Sequence, residues 1–260
     1  MATRKRQDRL LQILDTLHQM RGASIRELSA KLGVSEMTIR RDLSELSAGN
    51  KVRLVHAGAV PAGASREGRF GGYSLIEGTG AGIGEKMRIG RKAASLVEPG
   101  DVLYIDSGPI PEWLARSIPP EMPVTILCYA LNVLLEAGRG KARTLVLAGG
   151  ALRDDTLVFE SPEGLALLRR HRAGKAFLSA EGASARLGVT CADAGEAELK
   201  KAALATSRTR ILLADSRAFG VVLPAWFADL EDFDAIITDP GISLEYVELL
   251  KEKGITLHVV

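Results

Sequence analysis

The chain has 260 residues, of which 46% are hydrophobic and 25% charged, so it can build one small and one medium-sized domain. Its longest apolar runs, such as 211–214, are too short to span a bilayer, and no signal-peptide-like stretch follows the polar start, so we expect a cytoplasmic protein without membrane contact. Residues 1–60 hold 11 Lys and Arg against 6 Asp and Glu, whereas the other 200 residues hold 23 against 26. This asymmetry favours a polyanionic partner such as duplex DNA, although a solvated basic tail would show the same charge.

The first fifty residues carry the pattern of three helices. Apolar residues at helical spacing predict a first helix over 6–20. The capping-box pattern of Ser24 and Glu27 precedes a short second helix over 28–32, which stops at Gly33. A third helix over 36–48 follows, and two helices separated by Gly-Val-Ser in this way are typical of a helix-turn-helix.

The third helix is the predicted reading helix. Its apolar stripe, Ile39, Leu43 and Leu46, turns the remaining side chains away from the core. Arginine can contact guanine with two hydrogen bonds, threonine and methionine methyl groups can contact thymine, and an N-cap serine with free helix amides can hold a phosphate. We therefore predict DNA contacts from five residues here: Ser35, Met37, Thr38, Arg40 and Arg41.

A short β-hairpin is predicted after this helix, from alternating charged and apolar residues over 51–55 followed by 57–59. Lys51 and Arg53 are expected to reach the DNA backbone from it. Adjacent arginines on a helix are, by themselves, more often a solvated surface than a DNA contact. Their place in a unit of three helices and a hairpin favours contact, so residues 1–60 are expected to form a winged helix-turn-helix domain.

Residues 61–88 are rich in glycine and small residues, which predicts a flexible linker. The segment Gly80 to Lys86 superficially resembles a phosphate-binding loop. Its spacing is wrong for that role, because Glu85 separates Gly84 from Lys86 and no Ser or Thr follows the lysine. We expect no nucleotide site and no cofactor.

From residue 89 onward, helical segments alternate with short apolar runs. Helices are predicted over 89–97 and around 113–117, and strands over 102–105, 124–127, 144–147, 175–178, 211–214, 235–238 and 256–259. Such alternation predicts an α/β domain over 89–260, with a doubly wound, mostly parallel sheet.

Polar loops follow three successive predicted strands. In doubly wound sheets ligands bind beyond the carboxyl ends of strands, where these loops would lie. Each loop alone would be an ordinary tight turn, but three together favour a pocket for a polar ligand. The candidate binding residues are Asp106, Ser107, Gly108, Tyr129, Asn132, Gly149 and Gly150.

The stretch Gly33-Val-Ser-Glu-Met-Thr-Ile-Arg-Arg-Asp-Leu43 closely resembles the DNA-binding motif of DeoR-type regulators. Further similarities run along the chain: the segments 128–132, 147–150 and 188–191, the pair Glu196 and Lys200, and Asp215 ahead of Phe219-Gly220. The resemblance implies a repressor of sugar or nucleoside catabolism with a sensor domain resembling ribose-5-phosphate isomerase. It also implies a phosphorylated sugar effector, such as deoxyribose 5-phosphate, and adds Glu196 and Lys200 to the effector residues.

Two departures from the family pattern bear on the effector. Pro109-Ile110-Pro111 stands where family members have two or three threonines, which removes hydroxyls and, at the prolines, amide donors. Arg217-Ala218 stands where the family has Ser-Lys, and Arg217 is the candidate for the missing positive charge. A changed effector, a weakened site and a sensor that no longer binds phosphosugars all stay open.

An enzyme is the alternative from another class, namely a sugar-phosphate isomerase with a DNA-binding tail. Asp106, Glu181, Glu196 and Lys200 would be its acid–base groups. The four histidines are scattered and the two cysteines lack metal-ligand spacing, so we expect neither catalysis nor a metal.

Reading two half-sites requires two recognition helices, so a dimer or larger homo-oligomer is expected.

Overall fold

The computed structural model describes residues 2–20, 23–49, 51–55, 58–61, 82–154 and 156–260. The chain divides into two compact units, Met1–Ser74 and Leu75–Val260. Within the described ranges, no helix combines the length and the apolar character needed to cross a membrane.

The first unit is a winged helix-turn-helix, as predicted. Its elements in chain order are α1 (Ala2–Met20), β1 (Ala23–Ser24), α2 (Ile25–Leu32), α3 (Glu36–Ala48), β2 (Val52–Val55) and β3 (Gly58–Pro61). The three strands pair antiparallel in the order β1-β3-β2. The predicted stripe of α3 is buried in the core together with Ile13, Leu17 and Leu28.

The second unit alternates strands and helices. Its helices are α4 (Ile83–Ala94), α5 (Pro109–Ser117), α6 (Leu131–Ala137), α7 (Pro162–Arg170), α8 (Ala194–Thr206) and α9 (Leu244–Glu252). The strands of its large sheet are β4 (Val102–Ile105), β5 (Val124–Cys128), β6 (Arg143–Leu147), β9 (Ala173–Ser179), β12 (Ser207–Leu213), β14 (Ala235–Thr238) and β15 (Thr256–Val259). Its short strands are β7 (Ala151–Leu152), β8 (Phe159–Glu160), β10 (Gly182–Ser184), β11 (Gly188–Cys191) and β13 (Ala225–Ala228).

The large sheet is parallel throughout, in the order β15-β14-β12-β9-β4-β5-β6. Strand β4 therefore lies inside the sheet, and the chain proceeds to β5 and β6 on one side before crossing to β9 on the other. The point at which this order reverses lies between β4 and β9. In doubly wound sheets the crevice beyond the carboxyl ends of two such strands is the usual ligand site.

Helices cover both faces of the sheet. On one face Ile89 of α4, Leu114 of α5 and Val133 of α6 pack in a shared core with Leu103 and Ile105 of β4. On the other face Tyr104 packs in a second core with residues of α7, α8 and α9. Alternate residues of β4 thus pack into the cores on opposite faces of the sheet. The predicted doubly wound architecture is confirmed.

Helix α4 corrects the predicted boundary between linker and sensor. It begins at Ile83 and ends at Ala94, rather than running over 89–97, so residues 83–88 are helical. Gly82 precedes it with a φ of 83°, a left-handed conformation that glycine adopts at little cost. The glycine-rich run that predicted a linker therefore ends at a helix start, and the rest of the predicted linker, 62–81, lies outside the described residues.

Two small antiparallel sheets were not predicted. Strands β7 and β8 form a hairpin, and β10, β11 and β13 form a three-stranded sheet in that order. Their strands have two to four residues, too few to show a period of two in the sequence.

Candidate functional site: a reading helix and a switch-point crevice

The outer surface of α3 presents four of the five residues predicted to read DNA. Met37, Arg40 and Arg41 are exposed, Met37 at 74%, and Thr38 is half-buried beside them. Within the described part of the chain, neither arginine side chain forms an ion pair or a hydrogen bond. Both guanidinium groups are therefore available to a ligand.

Ser35 begins α3 in the predicted manner. Its Oγ accepts a hydrogen bond from the Thr38 amide at 3.3 Å and lies 2.9 Å from Thr38 Oγ1. This side chain satisfies one free amide of the first turn, and the remaining amides stay available for a phosphate.

The two predicted wing residues are only partly described. Lys51 is exposed immediately before β2, and its amide donates to the Leu46 carbonyl at 2.9 Å, which fixes the wing to the end of α3. Arg53 lies in β2 opposite Val60, and its side chain lies outside the described part of the structure.

A buried ion pair that the sequence analysis missed orients α3. Asp42 is buried on the inner side of the helix and accepts hydrogen bonds from Arg9 of α1, at 2.6 Å from Nε and 3.2 Å from Nη2. Arg6 of α1 also pairs with Asp42 and with Glu45. Asp42 and Glu45 thus bind α1, and the exposed surface of the reading helix carries Arg40 and Arg41 together with one acidic residue, Glu36 in the first turn.

A second cluster lies in the crevice between β4 and β9. Asp106 follows β4, and its Oδ2 accepts from Lys200 Nζ at 2.5 Å and from the amide and hydroxyl of Ser179 at 2.6 and 2.9 Å. The Tyr129 hydroxyl donates to the other oxygen, Oδ1. The Asp106 carboxylate is therefore fully hydrogen-bonded inside the protein.

Glu196 and Ser107 complete this cluster. Lys200 Nζ lies 3.0 Å from Glu196 Oε1, one helical turn earlier on α8, and the same oxygen accepts from Ser107 Oγ at 2.6 Å. Five predicted effector residues from three separate segments thus meet at one place: Asp106, Ser107, Tyr129, Glu196 and Lys200.

The charges in this cluster are held in fixed states. Burial lowers the pKa of Lys200, but the Asp106 and Glu196 carboxylates more than offset it, so the pKa is raised and the amine stays protonated. Burial and the same two carboxylates raise the pKa of Tyr129, so its hydroxyl remains a donor. Burial also raises the pKa of the neighbouring Cys191 to about 12, so this thiol stays protonated.

Asn132 connects the loop after β4 to the buried carboxyl of Glu112. Its Nδ2 donates to the Gly108 carbonyl at 3.2 Å and to Glu112 Oε2 at 3.0 Å. Asn132 Oδ1 and Glu136 Oε2 are buried and have no hydrogen-bond partner among the described residues. This region, between α5 and α6, is therefore rich in acceptors and short of donors.

Glu112→Gln is expected to stabilise the protein at neutral pH. Burial raises the pKa of Glu112, Asn132 opposes this, and Glu136 adds to it. The folded state therefore binds the proton more tightly than the unfolded state, and this carboxyl costs stability as pH rises above its ordinary pKa. Glutamine avoids that cost and adds an amide donor, so the variant's advantage in unfolding free energy should grow from pH 4.5 towards neutral pH.

Urea denaturation across that pH range measures the difference. Glu121→Gln, at an exposed ion pair with Lys141, is the control and should show little change. A wild-type protein that gains stability over the variant with rising pH would contradict the assignment.

The first turn of α5 is short of amide donors. Gly108 precedes it with a φ of 100°, and Pro109, Ile110 and Pro111 are its first three residues. Among residues 109–112, only the Ile110 amide is left free, because proline has none and the Glu112 amide donates to the Gly108 carbonyl at 3.2 Å.

The remaining predicted effector residues lie on other loops and make no contact that would join them to the Lys200 cluster in the described structure. Gly149 accepts from Ser161 Oγ at 2.7 Å, and Gly150 has a φ of 152° where an added Cβ would lie 2.2 Å from the Glu160 carbonyl oxygen. Arg217 binds Asp215 of its own turn, with Nη2 2.6 Å from Oδ2. Its charge is therefore already paired.

Ser179 is the central residue that the sequence analysis missed. It binds Asp106 through its amide and its hydroxyl, and its carbonyl accepts from Lys200 at 3.1 Å. Its position at the end of a predicted strand was the available signal, the same one that singled out Asp106. Within the described residues no group of three His, Cys, Asp or Glu side chains is arranged to hold a metal ion.

Comparisons with known proteins identify the family of the chain. The chain is 32% identical over 253 residues to the deoxyribose operon repressor of Escherichia coli (strain K12), covering 97% of this chain and 98% of that protein. It is 28% identical to the HTH-type transcriptional regulator YulB of Bacillus subtilis (strain 168), covering 100% and 98%. Among solved structures, ribose 5-phosphate isomerase A of Methanocaldococcus jannaschii matches with a TM-score of 0.41 and 14% identity, covering 54% of this chain and 55% of that one.

Two family descriptions cover most of the chain. Residues 9–62 match the DeoR-like helix-turn-helix domain, and residues 82–240 match the DeoR C-terminal sensor domain. The second match alone spans more than half of the chain, and the full-length similarity to a repressor agrees with it. The chain therefore belongs to the DeoR family of transcriptional regulators.

Proposed function

We propose that this regulator is a repressor that binds duplex operator DNA through α3 and releases it when the second unit binds a phosphorylated sugar. The observation that carries the DNA-binding role is the outer surface of α3, where Arg40 and Arg41 are exposed and unpaired among the described residues beside exposed Met37. Two of the three acidic residues of the same helix, Asp42 and Glu45, are bound to α1 instead. This arrangement supports insertion of α3 into a major groove.

Arg41→Ala is expected to weaken specific binding by about 1–3 kcal/mol, roughly five- to 150-fold in Kd, if the guanidinium contacts a base edge. Fluorescence anisotropy with duplexes from the region upstream of the gene measures this, against a scrambled duplex at the same salt concentration. Arg170→Ala, an exposed arginine on α7, is the control and should leave the affinity unchanged. Unchanged affinity of the Arg41 variant would remove this residue from the reading surface.

For the effector, we propose the crevice between β4 and β9 as the binding site. It lies where the strand order reverses, and it holds polar groups from β4, β9 and α8. Similarity to the deoxyribose operon repressor supports deoxyribose 5-phosphate as the first compound to test. Binding there would shift the population of sensor conformations, and with it the operator affinity.

One observation favours a second candidate, a sensor that does not bind phosphosugars. The prolines at 109 and 111 leave α5 one free amide in its first turn, and Arg217 is bound to Asp215, so anion donors are few. A thermal-shift series with deoxyribose 5-phosphate, ribose 5-phosphate, deoxyribose and inorganic phosphate separates the candidates. If a phosphosugar raises the melting temperature and releases operator DNA, while deoxyribose and inorganic phosphate do neither, the sensor binds phosphosugars. If no phosphosugar shifts the melting temperature, the second candidate is supported.

We propose binding rather than turnover at this site. A general base needs a free lone pair near the proton that it removes. The Asp106 carboxylate already accepts four hydrogen bonds, and Lys200 is held protonated by two carboxylates. An isomerase assay on pentose and hexose phosphates should show no conversion above the uncatalysed rate.

A further inference from the structure

A cavity of about 640 Å³ lies between the last turns of α4 and α5. Each helix lines it with three residues at the spacing i, i+3 and i+4, which places them on one side of the helix: Arg91, Ala94 and Ser95 from α4, and Trp113, Arg116 and Ser117 from α5. A cavity of this volume accommodates a small organic molecule.

The cavity is separate from the proposed effector crevice. Val97 and Met122 also line it, and they shortly precede β4 and β5, which begin at Val102 and Val124. The cavity therefore lies at the amino ends of these strands, whereas the crevice lies at the carboxyl ends of β4 and β9.

The inner surface of the cavity is apolar. Ala94 and Val97 are each 6% exposed, and half-buried Met122 packs against the same core. The half-buried indole of Trp113 also lines the cavity, and the close approach of α4 to α5 at Gly90 holds this residue between the two helices. An apolar group bound here would be removed from water, which favours binding.

Two arginines at the cavity have no carboxylate partner. Arg91 and Arg116 are both exposed, and in the described ranges neither side chain forms an ion pair or a hydrogen bond. Carboxylates close to them in the sequence have other partners: Glu85 binds Arg88, Glu98 binds Lys175, Glu112 binds Asn132 and Glu121 binds Lys141.

The indole of Trp113 holds one of these arginines at the cavity. The Arg116 guanidinium carbon lies over this ring, 5.0 Å from its centroid. An arginine that lies on an aromatic face keeps the N–H groups at its edge available, and these match the two oxygens of a carboxylate or a phosphate.

The end of α5 does not repel an anion in the usual way. The last carbonyls of a helix carry partial negative charge and disfavour anions. Here the Arg143 guanidinium donates to the carbonyls of Ala115 at 3.4 Å, Ile118 at 2.6 Å and Pro119 at 3.2 Å. A third positive charge therefore offsets these dipoles.

We propose that this cavity binds a small organic anion with an apolar body. Its carboxylate or phosphate lies between Arg91 and Arg116, and its body covers the apolar inner surface. Arginine recognises both anionic groups through paired hydrogen bonds, so the charge and the apolar body together define the ligand. The site is a second one, and it does not depend on the proposed function.

Trp113 fluorescence in the full chain tests the proposal. The chain has two tryptophans, and Trp226→Phe removes the other one at a position that is 48% exposed. Phenyl phosphate and phenylacetate are the probes, and we expect at least one of them to give a saturable change at millimolar concentration. Benzyl alcohol, which lacks the charge, and inorganic phosphate, which lacks the apolar body, should give none.

In the same background, Arg91→Gln should weaken binding of the probe about tenfold, because a charge-assisted contact is lost. Arg88→Gln is the control, since Arg88 lies on the same helix outside the cavity and pairs with Glu85, and it should bind like the parent. If Arg91→Gln fails to fold by circular dichroism, Arg116→Gln replaces it.

Three results would overturn the proposal. They are no saturable change with either probe, equal affinity in the arginine variant and its parent, and inorganic phosphate binding as tightly as phenyl phosphate. The first two would show that the cavity holds no anion at these arginines, and the third would show that the apolar surface plays no part.

Discussion

Lys200→Met is expected to lower the unfolding free energy of the second unit by about 3–5 kcal/mol, because it leaves the Asp106 carboxylate buried without its counter-charge. Both side chains are almost completely inaccessible, and their atoms lie 2.5 Å apart. Methionine fills a similar volume, so the loss measures charge rather than packing. Urea denaturation followed by circular dichroism gives the free energy.

Two companion variants make this result interpretable. Lys141→Met breaks an exposed ion pair with Glu121 and should cost less than about 1 kcal/mol. Adding Asp106→Asn to Lys200→Met removes the uncompensated charge, and we expect it to recover part of the loss. If Lys200→Met proved as stable as the wild type, the carboxylate would not depend on this lysine, and the crevice would tolerate a free negative charge.

The same cluster explains why so much of the site could be predicted. Asp106 and Tyr129 each follow an apolar run that forms a strand of the parallel sheet, and parallel strands bring their carboxyl ends to one edge whatever their order. Glu196 and Lys200 were predicted as effector residues only from the family resemblance, because a Glu and a Lys one helical turn apart usually form an ion pair that merely stabilises the helix. Position along the chain could not show that α8 directs them into the crevice.

Features that depend on contacts between distant segments could not be predicted. Gly90 lies where α4 crosses α5, and an added Cβ would be 2.5 Å from Trp113 Cβ and 2.9 Å from the Leu114 amide nitrogen. From the sequence alone, Gly90 is only a residue of low helix propensity, and nothing indicates that another helix packs against it. The Arg9–Asp42 pair likewise joins residues 33 positions apart, and nothing local distinguishes Asp42 from an exposed aspartate.

Helix α3 shows the opposite case, because its bounds and buried stripe were predicted as found. Ser35 gives a local start signal, and three apolar residues at helical spacing fix which side faces inward. The sequence therefore separates the residues of α3 that hold the first unit together from those exposed to a ligand. Leu43 and Met37 represent these two classes on one helix.

Leu43→Ala is expected to destabilise the first unit by about 2–5 kcal/mol, because it opens a cavity in its small core. A domain of this size rarely has more than about 3–5 kcal/mol of stability, so much of the first unit should be unfolded at 25 °C. Operator binding should then be lost, while the denaturation transition of the second unit is retained, because the units have separate cores.

Met37→Ala is the matched variant, since it removes an apolar side chain of similar size from the same helix at a position that is 74% exposed. We expect its unfolding free energy to lie within about 0.5 kcal/mol of the wild-type value, as for most surface substitutions. Its affinity for the operator should fall while its affinity for a scrambled duplex stays unchanged. Equal destabilisation by both variants would mean that Met37 is buried in solution, and α3 could not then present this side chain to a major groove.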